Sequence, residues 1–228
     1  MNKWVLAVST VVAFSGSAHA EFTKGSQTIA VIGGFSGSGS TYDYEPGHSQ
    51  PVTGGGGAFG AQYMYYLKDS PAIAIGADIL SSPNGDRSDD DLLAGYDTTQ
   101  RLKSVAGLVV ARLSFPRGFF RPFIFGGMGA HSSSQKLMAR PRSGSWPGGG
   151  NEVRALIDED ATSFALGAGV GFDLFFTESL FLGSEIRGTW LAGLNTEDNA
   201  ALRSAGFTSD SDDGITQGNI LLRLGLKF

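Results

Sequence analysis

A histidine followed by serines provides the residue types for nucleophilic catalysis. His131 precedes Ser132, Ser133 and Ser134, and an imidazole beside a hydroxyl can act as the base that activates an oxygen nucleophile. The chain has only three histidines, and no ordered carboxylate accompanies this one. His131, Ser132 and Ser133 are therefore candidate catalytic residues of a hydrolase. The alternative is a plain polar transition from a strand to a loop.

A group of acidic residues near the C-terminus has ligands suited to Ca²⁺. Asp210, Asp212 and Asp213 precede Gly214, and calcium prefers clustered oxygen ligands. Their spacing does not match the calcium loop in which acidic or amide residues alternate before a glycine and a glutamate follows. We expect a solvated acidic surface here, with neither a metal site nor a cofactor in the chain.

An aromatic residue with nearby arginines is suited to binding a partner. Trp146 lies in the glycine- and serine-rich segment 143–150, shortly after Arg140 and Arg142. Trp and Arg are enriched among the residues that dominate binding energy. These three are candidates for binding an extracellular ligand of unknown nature. The alternative is that Trp146 folds onto its own loop.

The composition excludes several classes of function. The 228 residues contain no cysteine, which excludes disulfides, thiol chemistry and cysteine-ligated metals. The net charge of −5 argues against broad nucleic-acid binding, which requires basic residues to neutralise phosphates. The mean hydropathy of −0.01 is that of an ordinary soluble protein.

The first twenty residues have the three parts of a secretory signal peptide. Lys3 supplies a positive charge, residues 4–14 are apolar, and Ala18 and Ala20 form a small-residue cleavage site. We expect cleavage after Ala20, which divides the chain into a signal peptide of residues 1–20 and an exported domain of residues 21–228.

Alternation of apolar and polar residues predicts β-strands in the rest of the chain. In residues 217–228 large apolar side chains occupy every second position, and a period of two is that of a strand. Similar alternation predicts eight strands in all. They cover residues 27–36, 58–67, 72–80, 104–115, 122–131, 163–174, 179–191 and 217–228.

The connections between these strands alternate between short and long. An up-and-down antiparallel meander with its long loops at one end produces this alternation, and an even number of strands is typical of outer-membrane barrels. The expected fold is therefore all-β, an eight-stranded antiparallel up-and-down transmembrane β-barrel. Short turns are predicted at residues 68–70, 116–121 and 176–179, and long loops within residues 37–59, 81–103, 132–162 and 192–216.

Charged residues within the predicted strands fall on the face opposite the aliphatic one. A charge facing lipid at the bilayer midplane costs roughly 2–4 kcal/mol, so the charged face must line the barrel interior. Eight strands leave an interior that side chains can fill, and we expect buried ion pairs there. The predicted lumen charge network is Asp78, Arg112, Asp173, Glu185, Arg187, Arg223 and Lys227.

Aromatic residues cluster around the predicted short turns. Such clusters are typical of the aromatic girdle at one membrane interface, and Trp190 is expected in the opposite girdle. The members are Tyr65, Tyr66, Phe115, Phe119, Phe120, Phe123, Phe125, Phe172, Phe175, Phe176, Phe181 and Phe228.

Taken in order, these features resemble the outer-membrane β-barrel family that includes OmpA, OmpX and the opacity proteins. The segments that carry the resemblance are 121–129 (RPFIFGGMG), 166–174 (LGAGVGFDL), 183–190 (GSEIRGTW) and the closing apolar strand. The sequence departs from OmpA itself by ending at the barrel, so we expect a barrel domain alone, without a periplasmic domain that tethers it to the cell wall. The resemblance also implies that the barrel-assembly machinery reads the last strand. The residues of this assembly signal are Ile220, Leu222, Leu224, Leu226 and Phe228.

We expect a monomer in the outer membrane of a Gram-negative bacterium, in contact with lipid and lipopolysaccharide. It is expected to be non-enzymatic and to act in envelope integrity, or in adhesion and host interaction through its loops. Three alternatives remain: a lipid A-modifying barrel hydrolase centred on His131, a narrow porin-like channel, and a soluble periplasmic barrel.

Overall fold

The computed structural model describes residues 22–44, 49–89, 96–115, 119–144, 146, 149–192, 209–210 and 215–228. Strands and turns make up these ranges. No helix within them is long and apolar enough to cross a membrane. The predicted signal peptide, residues 1–20, lies outside the described residues, and so do Asp212 and Asp213.

The described residues contain nine strands in chain order. Eight of them are long, and β8 is a two-residue strand. Their bounds are β1 Gln27–Tyr44, β2 Ser49–Asp69, β3 Ala72–Asp89, β4 Tyr96–Ser114, β5 Phe120–Pro141, β6 Arg154–Phe175, β7 Leu180–Leu191, β8 Ser209–Asp210 and β9 Ile215–Lys227.

The eight long strands close into an antiparallel barrel. Each pairs with the next along the chain, and β1 pairs with both β2 and β9. The short β8 adds to the far end of β1 beside Asp43 and Tyr44. The predicted fold, an eight-stranded up-and-down barrel, is confirmed.

The stagger of the barrel follows from its register. A path of paired residues that leaves β1 at Thr28 returns to β1 at Ser38, ten residues further along. Such a stagger tilts the strands by roughly 35–45° from the barrel axis. The path passes through Met64, Gly76, Val110, Gly127, Gly167, Thr189 and Gln217.

The strands extend well beyond their predicted ends on the side of the long connections, so those predicted boundaries were wrong. Strand β5 continues to Pro141 and β6 begins at Arg154, where a loop over residues 132–162 was expected. In these extensions the outward side chains become polar, so the alternation of hydrophobicity disappears. The backbone ladder between the strands nevertheless continues.

The two faces of the sheet differ in chemistry. On β4, outward side chains are apolar from Phe115 to Val105 and become charged at Lys103. Val105, Ser132 and Thr162 form one cross-strand row that marks the same change on β4, β5 and β6. We call the outward apolar surface between this row and the short turns the apolar belt. At 3.3 Å per residue and this tilt, ten residues span about 25 Å, the height of the apolar band of outer-membrane barrels.

We call the part of β4, β5 and β6 beyond this row the outer wall, which comprises residues 96–104, 133–141 and 154–161. Strand β7 ends at Leu191, opposite Ala165. The outer wall therefore projects beyond the end of β7. The opposite end of the barrel, with the short turns, is called the turn end.

Candidate functional site in the barrel lumen

Aromatic rings around one arginine fill the lumen at the turn end. Phe22, which precedes β1, is 1% exposed and stacks on Tyr66 with the ring centroids 4.0 Å apart. Phe175 meets the edge of Phe22 at 5.5 Å, and Phe181 lies 5.2 Å from Phe175. The guanidinium of Arg121 lies 4.8 Å from the Phe22 ring and 4.6 Å from the Phe175 ring, within cation–π range. We call these five residues the aromatic plug.

A tight turn in the chain at Gly25 places Phe22 in the lumen. Gly25 has a φ of 92°, a left-handed conformation that glycine adopts without strain. The amide of Gly25 donates to the carbonyl of Tyr66 at 2.8 Å, and the amide of Tyr66 donates to the carbonyl of Ser26 at 2.9 Å. The segment before β1 is thus bonded to β2, with Phe22 inside the barrel.

On the side of the plug away from the turn end, one arginine joins two buried carboxylates. Arg187 donates to both oxygens of Asp78, at 2.7 and 2.6 Å, and to Glu185 at 2.7 Å. Gln62 donates a further hydrogen bond to Asp78 at 3.1 Å. All four residues are at most 4% exposed. A buried ion pair needs such additional hydrogen bonds because burial removes both charges from water.

Two further arginines share a third carboxylate. Asp173 pairs with Arg112 and, at 2.7 Å, with Arg223. Arg223 also lies 3.4 Å from Glu185 and donates to Gln62 at 2.7 Å. Through Glu185 and Gln62 the two groups of ion pairs become one continuous network.

Aromatic rings cover the guanidinium groups of this network. The Phe123 ring lies 3.5 Å from the guanidinium carbon of Arg112 and 4.8 Å from that of Arg223. The Phe125 ring lies 5.0 Å from that of Arg187. The rings fill the space that the ion pairs leave, and they attract the cations through their π faces.

Glycines make room for these rings on the neighbouring strands. Gly171 and Gly169 on β6 are paired with Phe123 and Phe125. A methyl group at either glycine would overlap the ring beside it. The inward glycines therefore have a packing role in the lumen.

An apolar layer lies on the loop side of the charged network. Ile32, Ala58, Leu80 and Leu221 form one buried cluster, each at most 4% exposed. In the described part of the barrel, the aromatic plug, the ion-pair network and this layer follow one another along the axis.

Six of the seven residues predicted for the lumen charge network meet in it. Lys227, the seventh, lies at the turn end of β9 opposite Thr28 and is half-buried. Sequence reasoning missed Arg121 and Gln62, which are 0% and 3% exposed. The signal for Arg121 was available, since it has the same strand parity as the inward residues of β5.

The three candidate catalytic residues do not form one site. His131 points into the lumen and is 1% exposed, whereas Ser132 points outward. Ser133 also points inward, but its hydroxyl has no hydrogen-bond partner in the described part of the chain. The Nδ1 atom of His131 lies instead 2.9 Å from the hydroxyl of Ser163 on β6.

Trp146 is folded onto its own loop, so it is not an exposed anchor for a partner. It is 3% exposed, and its indole nitrogen donates to the carbonyl of Glu152 at 2.8 Å. The Tyr96 ring lies 5.0 Å away, and the guanidinium of Arg154 lies 5.1 Å from the indole. Burial under these contacts removes the surface that a partner would meet.

The charged residues near Trp146 pair with one another at the surface. Arg142 pairs with Asp97 at 2.9 Å, and Arg140 is exposed on the same face, opposite Asp97. Arg154 donates to Glu152 at 2.7 Å. The pKa of Glu152 is lowered by a hydrogen bond from its own backbone amide and by this arginine. The tip of the outer wall is therefore polar and held by ion pairs.

The residues of the predicted assembly signal point outward. Their exposed fractions range from 51 to 65%. They form the β9 part of the apolar belt. The five residues are Ile220, Leu222, Leu224, Leu226 and Phe228.

The predicted aromatic girdle is only partly outward. Phe115 and Phe120 are exposed at the turn end, and Trp190 is exposed near the loop end. Other members point inward because their positions have the same parity as the buried residues of their strands. These inward members are Tyr66, Phe123, Phe125, Phe175 and Phe181.

Among the described residues, no three His, Cys, Asp or Glu side chains come together as metal ligands. Asp210 takes part in β8 beside Asp43.

The chain matches a family model described as "Outer membrane protein beta-barrel domain" over residues 5–228. No curated protein matches it. Among solved structures, the attachment invasion locus protein Ail of Yersinia pestis is 14% identical, with a TM-score of 0.41 over 90% of this chain and 100% of that chain. OprG from Pseudomonas aeruginosa is 12% identical, with a TM-score of 0.44 over 93% and 99%. The outer membrane protease OmpT from Escherichia coli is 10% identical, with a TM-score of 0.47 over 94% and 99%.

Proposed function

Because this chain belongs to the outer membrane β-barrel domain family, we propose that it acts as a closed, non-enzymatic barrel that presents its outer wall to the cell exterior. In this orientation the turn end faces the periplasm and the apolar belt meets lipid. The role that follows is contact with surfaces or molecules outside the cell.

The observation that carries this proposal is the continuation of β4, β5 and β6 beyond the apolar belt. The ladder between β4 and β5 is unbroken from Val105 and Ser132 to Tyr96 and Pro141. A strand that only crosses a bilayer needs about 9–11 residues, whereas β5 has 22. The additional length builds a rigid surface that the membrane span does not require.

The packed lumen supports a closed barrel over a narrow channel. The charged network is anchored by bidentate and shared ion pairs, and each of its charged members is at most 4% exposed. A conducting path would have to displace these pairs together with the aromatic plug.

The proposal is tested by trimming the outer wall and leaving the membrane span intact. Gln135 and Glu159 are paired, so an Asn-Gly turn can replace residues 136–158 between them. Thr41 and Pro51 are also paired, so the same replacement of residues 42–50 gives a matched control at another hairpin of the loop end. We expect cells with the trimmed wall to bind less well to host cells or extracellular matrix, and cells with the control to bind normally.

Two results would contradict the proposed role. One is equal binding by cells with the intact wall, with the trimmed wall and without the protein. The other is that cells without the protein become sensitive to detergent and that the trimmed barrel fully restores their resistance, which would assign the chain to envelope integrity. Heat-modifiable migration in SDS gels verifies that each variant folds as a barrel.

A further inference from the structure

We propose that an apolar groove on the outward face of β3, β4 and β5, with Lys68 at its turn end, binds one phospholipid molecule of the inner leaflet. The groove holds an acyl chain, and Lys68 contacts the phosphate. The choice of leaflet rests on the proposed function, in which the turn end faces the periplasm. The binding itself does not depend on that orientation.

The groove arises where two small residues lie side by side in the apolar belt. Ala111 on β4 is directly paired with Gly126 on β5, and both are on the outward face. The next outward pair toward the turn end is Leu113 and Ile124, and Ile73 on β3 is paired with Leu113. These five residues line a groove of about 420 Å³, within the range of roughly 300–1,000 Å³ that is usual for ligand sites.

Large side chains bound the groove on two sides. Toward the loop end, Val109 and Met128 are directly paired and are each 59% exposed. Toward the turn end, Ile73 and Ile124 are also exposed. Between these ridges, a methyl group added at Gly126 would meet one backbone oxygen at 3.9 Å. A flexible chain lying between the ridges therefore makes more contacts than it would on an even surface.

The surroundings of the groove favour an acyl chain as its occupant. The chain belongs to a family of outer-membrane barrels, and the groove lies in the apolar belt, which has the height of the hydrocarbon region. The five outward side chains that line it carry no hydrogen-bonding group, so a polar ligand would find no partner among them.

A cation lies beside the end of the groove that is nearest the short turns. Lys68 is exposed, and the β-bulge in β2 places it opposite Ile73. Asp69, its acidic neighbour in sequence, accepts a hydrogen bond from the backbone amide of Lys24. A cation beside the hydrocarbon region is placed to meet an anionic headgroup. The register thus sets a position for a phosphate next to the position for a chain, and a phospholipid carries both.

The test measures lipid binding to the folded barrel in detergent by native mass spectrometry. The probes are phosphatidylethanolamine with two palmitoyl chains, the diacylglycerol with the same chains, and glycerophosphoethanolamine, which has the headgroup without the chains. We expect phosphatidylethanolamine to bind about twofold more tightly than the diacylglycerol, the usual effect of one exposed ion pair. Glycerophosphoethanolamine should not compete with it.

The main variant, Ala111→Ile combined with Gly126→Ile, fills the groove. Each carbon–carbon contact favours binding by a factor of about 1.2–1.4, so losing about seven contacts should weaken binding of phosphatidylethanolamine roughly threefold to tenfold. The matched control is Gly218→Ile on β9, where an added methyl group meets no atom within 4 Å, and it should bind normally. If the double variant fails to fold, Gly126→Ala replaces it, with an expected loss of about twofold.

A second pair of variants tests the headgroup contact. Lys68→Gln should weaken binding of phosphatidylethanolamine about twofold and leave binding of the diacylglycerol unchanged. Lys103→Gln, which removes an exposed cation beyond the loop side of the belt, should change neither.

The groove is excluded as a site if the folded double variant binds phosphatidylethanolamine as the wild type does. It is also excluded if Gly218→Ile weakens binding equally, because lipid would then cover the belt without preference. Unchanged binding in Lys68→Gln, or competition by glycerophosphoethanolamine, would contradict the assignment of chain and headgroup. The adhesion assay with the trimmed outer wall is independent of all these results, so the two proposals are judged separately.

Discussion

Arg187 illustrates how much the barrel depends on single buried charges. Changing Arg187→Gln leaves Asp78 without its bidentate partner and Glu185 with one cation fewer. Breaking a buried pair from one side costs about 3–5 kcal/mol, so we expect the free energy of unfolding in lipid vesicles to fall by about that amount. Urea titration followed by tryptophan fluorescence measures it.

A second substitution distinguishes loss of the pair from loss of packing. In Arg187→Gln combined with Asp78→Asn both charges are absent, and we expect a large part of the lost stability to return. Strictly additive losses from the two substitutions would show that the ion pair itself is unimportant.

Phe22 is the residue whose removal should most weaken the turn end. Replacing a buried Phe with Ala costs about 3–5 kcal/mol, and Phe22 packs against Tyr66, Phe175 and Arg121. The matched control is Phe120→Ala, at the same end but 51% exposed on the outward face. Equal effects of the two variants on the urea midpoint of unfolding would contradict a stabilising role of the aromatic plug.

Sequence patterns identified the buried charges because strand parity decides which side a residue faces. The same parity places Phe123 and Phe125 with Arg121, and Phe175 with Asp173, on the inner face. The residue types alone also fit an aromatic girdle, because a phenylalanine ring can face lipid or pack against a guanidinium equally well. The burial of Trp146 depends on Tyr96 and Arg154, which are distant or irregularly placed in sequence, and no periodic pattern indicates it.

At the scale of elements, β9 offers a direct test of the packing between strands. Gly225 points inward, where an added methyl group would fall on the Phe181 ring, whereas Gly218 points outward with no atom within 4 Å of an added methyl group. We expect Gly225→Ala to cost about 1–3 kcal/mol, the usual cost of overpacking, and Gly218→Ala to cost far less. Comparable losses in a refolding titration would show that the inward face is not tightly packed.

The ends of the strands could not be predicted from alternation. Within the belt, lipid on one side and packed lumen on the other enforce a period of two. Beyond Val105 and Ser132 the outward positions become polar, so the apolar alternation ends at Lys103, Ser134 and Lys136 although their strands remain paired. The order of the strands was predictable because the short turns fix each neighbour.

For the whole molecule, the layered lumen predicts a barrel that does not conduct. We expect no stepwise conductance from the wild-type protein in planar bilayers, since the plug, the ion pairs and the apolar layer all lie on the axis. Neutralising Glu185 or Arg187 alone should not open a path, because the aromatic plug remains. Steady ion conductance by the refolded wild-type barrel would contradict the closed lumen.

The near-zero mean hydropathy is also a property of the whole molecule. It averages an apolar belt, a polar lumen and a charged outer wall. The value therefore resembles that of a soluble protein only until the inward and outward faces of the strands are considered separately. The family match over residues 5–228 agrees with this separation.

The central claim, an outer-membrane barrel whose outer wall lies outside the cell, is tested most directly by labelling intact cells. The chain has no cysteine, so Ser143→Cys beyond β5 and Ser179→Cys in the turn before β7 each introduce a single thiol at an exposed position. A membrane-impermeant maleimide should label the first variant on intact cells and the second only after the outer membrane is permeabilised. Labelling of the Ser179→Cys variant on intact cells, with the Ser143→Cys variant protected, would contradict the account.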